Sequence, residues 1–455
     1  MTQGIFGVGE NFFEAQDSPF NLFSKPTFNN DYYSFNDYTF KPKNPIQNSE
    51  VNPIVFEIED SRNYTLLSTI RVDGQIRVLH ADGTSLKAGE KVSTVNLFPH
   101  SLFQTIDIKI NQVPVSDHAR LYPHRAYAHA LYSFTHETKK NTQLSEFYLE
   151  EECESEKTDD TTDQFAEKMK LIEGSRVCHI SFEPKIDTLT MMRYFPPGHT
   201  ISFEFIRSAP HFTLLSKDNT DSYKIEIVDL TLTCRQILPN DAIESKMKKL
   251  LSVKDIHLPV TRLVSRTRGL HASLYDGTIY NAICGKMPSH LMIFFLKNSQ
   301  LPSSANLSSN PFYFSHQSLA EASLVINGQT FPSEKINFNP NSGDFFKAYK
   351  FFLQNIGCTG DLSVGITPQR YMKDAFCLAF DLTPGKIMCH LFKVTFLFLD
   401  LCLNNHLHQQ ADANVDIRIR FSNPLPEPIT VLYISTYDNI ITLSIDKNVT
   451  LDYTV

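Results

Sequence analysis

Residues 239–251 read PNDAIESKMKKLL. Asn240 or Asp241 can cap a helix here, and Glu244 follows Asp241 at the spacing of a capping box. Ile243, Met247, Leu250 and Leu251 fall at i, i+4, i+7 and i+8, one apolar stripe of a short helix. Lys246, Lys248 and Lys249 take the other face and the last turns, where cations suit the helix dipole. A strand precedes the segment at 223–234 (YKIEIVDLTLTC) and another follows at 256–265 (IHLPVTRLVS). The helix therefore reads as a connector between two β-rich parts of similar length. The division expected from it is an N-terminal arm (1–50), a first β domain (51–238), the connector (239–253) and a second β domain (254–455).

Composition supports that division. The chain has 455 residues, long enough for two or three domains at about 100–200 residues each. It carries 35 Phe and 18 Tyr but no Trp; abundant aromatic and β-branched residues, with Asn, Pro and Gly at turns, lean toward strands. The net charge of −8 argues against a nonspecific nucleic-acid binder, which needs a basic surface. The eight cysteines (153, 178, 234, 284, 358, 377, 389, 402) form no CxxC pair, and several sit in apolar runs. Buried, reduced thiols in a reducing compartment are expected. Asn63, Asn306 and Asn448 lie in N-x-S/T sequons that, without a signal peptide, read as chance matches. The longest apolar run, 392–403, contains Lys393 and Asp400 and is too short to span a bilayer.

Residues 1–50 mix Asn, Phe, Tyr, Ser and Pro without period. Such a segment cannot bury a face of its own, so it is expected to be an extended arm stabilised by a neighbour. GIFGVG at 4–9 lacks the preceding strand and the GK[ST] of a phosphate loop. Thr69–Val72 and Gln75–Leu79 flank Asp73-Gly74, a two-residue hairpin signal. Ile106, Ile108 and Ile110 alternate with polar residues, a half-buried strand, and residues 125–134 have helical spacing. Residues 146–163 hold nine acids and one lysine, which reads as a solvated loop or insertion. Strands are expected at 177–182, 201–206, 290–296, 376–382, 391–399, 415–421, 430–435 and 440–445. Asn327-Gly328 between apolar runs is the strongest hairpin signal in the chain. Many short strands with polar turns indicate an all-β sandwich or barrel.

No GxSxG, HExxH, Walker motif, EF-hand loop or zinc-type Cys/His spacing is present. His406 and His408 could place two imidazoles on one strand face, but a ligand set needs a further His or Glu. His118, His124, His129 and His136 surround the helix of the first half, and read as surface or interface histidines. No catalytic, cofactor-binding or metal-binding residue is assigned.

In order along the chain, NLFPHSLF (96–103), the strand to Asn111 and YPHRAY (122–127) resemble a stretch of the major capsid proteins of Polinton (Maverick) elements and adintoviruses. GKMP (285–288), NPFYFSH (310–316), FDLTP (380–384), 416–421, Pro424–Pro426 and IITLSIDKNV (440–449) resemble the second half of that family. The similarity covers roughly residues 20–450 and rests on order and spacing; the acidic stretch 146–163 matches nothing in the pattern. The resemblance implies a double jelly roll, two eight-stranded antiparallel sandwiches in one chain. It implies a structural, non-enzymatic role without cofactors: a homotrimeric, pseudo-hexagonal capsomer of an icosahedral capsid. Its partners would be neighbouring capsomers and penton or minor capsid proteins, with no sequence-specific nucleic-acid binding. Assembly would take place in the host cytoplasm or nucleus and the protein would reside in the virion. Loops at 112–124, 146–170, 299–310 and 332–345 would suit lateral contacts or outward decoration.

Two other classes stand beside this reading. One is a jelly-roll binding module, of lectin or receptor-binding type, for which a signal peptide and disulfides are wanting. The other is a cupin-like metalloenzyme using His406 and His408.

Overall fold

The computed structural model describes residues 32–452 except 47–51, 60–62, 118, 142, 150–153, 192, 218–221, 339–344, 358–363 and 384–411. Its strands form two pairs of antiparallel sheets. In the first half, one sheet has the order β1 (Tyr32–Phe40), β10 (Tyr223–Pro239), β3 (Tyr64–His80), β7 (Cys178–Phe182). The facing sheet runs β2 (Ile54–Ile58), β8 (Ile201–Arg207), β5 (Phe103–Ile110), β6 (Val113–Pro114). A small ladder joins β4 (Val92–Thr94) to β9 (Leu214–Ser216). In the second half, one sheet runs β11 (Ile256–Leu270), β18 (Ile429–Leu443), β13 (His290–Lys297), β16 (Leu378–Asp381), with β19 (Val449–Leu451) also on β18. Its partner runs β12 (Asp276–Lys286), β17 (Asp412–Phe421), β14 (Leu319–Ile326), β15 (Gln329–Asn337).

Period-two alternation decides which face each strand buries. On β17, Ala413, Val415, Ile417, Ile419 and Phe421 point inward and the residues between them stay outside or half-covered. On β2, Ile54, Phe56 and Ile58 do the same, and Phe56 meets Phe205 of β8 edge-to-face at 5.5 Å. Each pair of sheets therefore encloses one apolar core, to which a fully buried Ile or Phe contributes about 1.5–3 kcal/mol.

The connector helix spans Asp241–Leu251, capped by the Asn240 side chain, which accepts from the Ala242 N–H at 3.1 Å. Its apolar stripe is only half covered: Leu250 is exposed, and no residue of the helix is fully buried. It works as a surface link rather than as a core element. Asn327-Gly328 makes the expected hairpin between β14 and β15, both residues having positive φ (48° and 85°), as a type I′ turn requires.

Several expectations are corrected. Residues 32–46, assigned above to a free arm, belong to the first sandwich. β1 pairs with β10 from Phe40↔Leu232 to Tyr32↔Pro239, and Asn44 ties the following turn to Pro53 and Val55. β1 covers the edge of β10, and its rings Tyr33 and Phe35 stay exposed, with the Arg235 guanidinium lying over Phe35 at 4.8 Å, so the segment shows no apolar face in the sequence. Residues 1–31 lie outside the described residues. Asp73-Gly74 is no hairpin: β3 runs straight through it. The glycine serves close approach instead, since a Cβ there would lie 2.7 Å from Leu230 Cδ1 and 2.8 Å from the Asp229 carbonyl oxygen. The strands expected at 430–435 and 440–445 are one strand, β18, because Tyr437, Asp438 and Asn439 between them are buried. The strand expected at 391–399 lies outside the described residues. Cys178, Cys234 and Cys377 are buried free thiols, but Cys284 is exposed; Cys153, Cys358, Cys389 and Cys402 lie outside the described residues.

Candidate functional site

The buried polar chemistry of the chain concentrates where the two sandwiches meet. The helix Tyr122–Ser133 begins with Pro123 in its first turn, where the missing N–H costs nothing. Its residues serve both cores. Tyr122 and Ala126 pack into the first, while Tyr127, Ala128, Ala130, Leu131 and Tyr132 pack into the second. Tyr127 stacks on Phe312 at 4.6 Å between centroids and 10° between planes. The Tyr132 hydroxyl donates to the Ala375 carbonyl at 3.1 Å. After the helix, the buried Lys139 ammonium donates to the carbonyls of Leu131 (2.7 Å) and Val364 (2.5 Å), one from each half.

Glu154 stands at the centre. Its carboxylate accepts from Asn96 Nδ2 (3.0 Å) and the Tyr127 hydroxyl (2.9 Å) of the first half, and from Asn310 Nδ2 (2.5 Å) of the second. Its backbone N–H donates to Asp374 Oδ2 at 3.1 Å, and the same oxygen accepts from Arg370 Nε at 3.2 Å. Burial pushes the Asp374 carboxyl up to about 6 against the pull of Arg370. A buried pair of this kind is worth little against an apolar substitute, yet losing one partner strands the other charge. Charge–hydrogen-bond geometry here fixes one docking arrangement of the halves.

A second cluster lies within the first half. His100 Nδ1 meets the Tyr122 hydroxyl at 2.8 Å and His100 Nε2 meets Glu146 Oε2 at 3.2 Å. The other Glu146 oxygen accepts from the Glu183 N–H (3.2 Å) and Lys185 Nζ (3.4 Å). Burial alone would raise the Glu146 carboxyl, but His100, Lys185 and the Glu183 N–H bring it down to about 2. Burial pushes the His100 imidazole down, against the pull of the Glu146 carboxylate.

The third junction is a pair of shared strands. β11 and β18 pair without a register break from Ile256↔Leu443 to Leu270↔Ile429. Their far ends pack into different cores: Leu258, Val260, Ile441 and Leu443 into the first, Leu263, Leu270, Val431 and Ile434 into the second. Where the ribbon passes between cores, Thr261, Thr436, Asp438 and Asn439 are buried. The first half also hydrogen-bonds the outer edge of β11: Arg193 Nη1 donates to the His257 carbonyl (3.0 Å). The Leu263 N–H donates to Asp187 Oδ2 (2.9 Å), and the Ser265 N–H to Asp117 Oδ2 (2.8 Å).

Sequence reasoning missed this junction. The stretch 146–163, expected to be a solvated insertion, supplies the buried Glu146 and Glu154. Two loops expected to serve neighbours face each other instead: Thr158 N–H donates to the Ser308 carbonyl (3.0 Å) and Asn310 N–H to the Glu156 carbonyl (2.8 Å). His124 is wholly buried between the halves, donating from Nε2 to the Gln300 carbonyl at 2.9 Å, with burial pushing it down to about 4. A signal was nevertheless present. Asn96, His100, Tyr122, His124, Tyr127, Asn310 and Phe312 all lie in the short stretches that carried the family resemblance. His406 and His408 lie outside the described residues. Among the described residues no group of three or more His, Cys, Asp or Glu side chains could hold a metal ion, and no helix is long and apolar enough to cross a membrane.

Compared with known proteins, the chain matches no family profile and no curated protein. Solved structures do match over nearly the whole length. A chain in the cryo-EM structure of the Sputnik virophage superposes with a TM-score of 0.59 at 13% identity, covering 99% of this chain and 93% of that one. VP54 of PBCV-1, fitted into a Sputnik reconstruction, gives 0.55 at 9% identity over 95% and 100%. The Faustovirus major capsid protein gives 0.53 at 10% identity over 93% and 92%. The fold is a double jelly roll, the architecture of viral double jelly-roll major capsid proteins.

Proposed function

We propose that the protein is a structural major capsid protein whose two jelly rolls, 32–239 and 254–455, stand side by side in each subunit. Three subunits form a pseudo-hexagonal capsomer, and capsomers tile an icosahedral shell together with penton or minor proteins. The chain's sequence pattern resembles that of the capsid proteins of Polinton and adintovirus elements. The observation that carries the reading is the use made of buried polar groups. Glu154, Asp374, Arg370 and His124 are spent on locking one sandwich to the other, as a rigid building block needs and an active site does not. The near full-length likeness to capsid folds supports the same role. Heterologous contacts around a closed ring suit a trimer of such blocks. Negative-stain microscopy of the purified protein tests this. Threefold capsomers or shells are the expected particles, and isolated single subunits under all assembly conditions would argue against it.

A further inference from the structure

Among the described residues β11 is an edge strand, and its edge is covered along only part of its length. In an antiparallel strand, alternate residues turn their N–H and C=O away from the paired neighbour. Leu263 and Ser265 show which parity faces outward, since their N–H groups go to Asp187 and Asp117 rather than to β18. Pro259 shares that parity and has no N–H to leave bare. The register continues unbroken, so Thr267 and Gly269 also face outward. Among the described residues nothing bonds to those outward groups. Past Ser265 a cleft of about 500 Å³ opens beside the strand, its other side formed by Ala119, Arg120 and Leu121 of the first half.

The cleft has a marked chemistry. Arg120, Arg266 and Arg268 line it, with no acidic residue, and all three are exposed. None makes an ion pair among the described residues. Leu121, Leu301 and the buried Tyr433 supply an apolar floor. Arg266 and Arg268 are two apart and share one face of the sheet. We infer that this cleft takes an extended acidic segment of a partner polypeptide, added as a further strand to the bare edge at Thr267–Gly269, with carboxylates at alternate positions opposite Arg266 and Arg268. Bare backbone donors and acceptors in a row select a peptide over other anions, because strand addition draws its affinity from that ladder. The arginine pair sets the sign of the partner's charge. The inference stands apart from the capsid reading, because the binding is a property of the subunit whatever it builds.

The probe is a terminally blocked, fluorescent Glu-Val-Glu-Val-Glu peptide, titrated into the full-length protein and followed by anisotropy. Saturable binding is expected, and no binding of the matching Lys-Val-Lys-Val-Lys peptide. Arg266→Glu with Arg268→Glu should weaken binding about tenfold or more, equivalent to at least ~1.4 kcal/mol. Thr267→Pro removes an outward donor while leaving the ladder to β18 intact, and should weaken binding with an unchanged melting curve. Should that variant misfold, N-methylation of the peptide gives the same answer: one alternate set of positions abolishes binding and the other is tolerated. The inference fails if the acidic peptide does not bind at millimolar concentration, or if N-methylation of the two alternate sets has the same effect. It also fails if a thymidine oligonucleotide or inorganic phosphate binds in the peptide's place.

Discussion

The Glu154 carboxylate accepts the Asn310 side-chain amide at 2.5 Å across 156 residues of chain. One partner sits in an acid-rich stretch with every appearance of a solvated loop, the other in the NPFYFSH segment of the second half. Both are buried. Their contact is one of the buried bonds that hold the two sandwiches together as one block.

Glu154→Ala should destabilise the subunit by about 3 kcal/mol, because Tyr127, Asn96 and Asn310 lose a shared charged acceptor inside the protein. Asn310→Ala should cost less, and the double variant should show a coupling of about 1–2 kcal/mol in a mutant cycle. Denaturant titration measures all three. Purely additive losses would mean the contact contributes nothing of its own.

The pH response should carry the signature of His124. Burial holds its folded value at about 4, well below the ordinary imidazole value of about 6.5. Between those values the unfolded chain binds the extra proton, so stability is full above the window and falls as the pH drops through it. The loss from this group approaches about 3 kcal/mol at the bottom of the window. Asp374, raised to about 6, works the other way: its protonation favours the folded state as the pH falls from about 6 toward 4. His124→Gln keeps a donor for the Gln300 carbonyl and cannot charge. Relative to the parent, the variant should therefore gain stability between pH 7 and pH 5 in denaturant midpoints. Parallel losses in both proteins would contradict the assignment.

Gly74→Ala should destabilise by about 1–3 kcal/mol through overpacking, since the new methyl meets Leu230 and the Asp229 carbonyl at less than contact distance. Melting temperature reports this directly. A neutral outcome would show that β10 can move away from β3 freely.

Two truncations separate the parts of the N-terminal region. Removing residues 1–31 should leave the melting temperature of the subunit unchanged and weaken assembly. Removing residues 1–46 also takes away β1, strips the edge of β10 and should give aggregation-prone protein. If the shorter truncation already unfolds the subunit, the account of the N-terminal segment is wrong.

Much of the fold was legible in the sequence, because strand alternation and turn chemistry are local. The Asn327-Gly328 hairpin and the capped connector follow from a few adjacent residues. What was not legible depends on distant partners. Asp73-Gly74 has the composition of a turn, and only the approach of Leu230 shows that the glycine is there for space. Glu146 and Glu154 carry no local mark separating them from their solvated neighbours; Lys185 and Asn310, which pay for their burial, lie far away in sequence. β18 looked like two strands because Asp438 and Asn439 are polar, whereas they mark the place where the strand passes from one core to the other.

The central claim is that this block is one third of a capsomer. Light scattering on freshly purified full-length protein, at low concentration and moderate salt, measures it most directly. The account predicts a stable mass three times that of the chain, held by an interface of roughly 2,000 Å² or more. A monomer that stays monomeric at high concentration would contradict it.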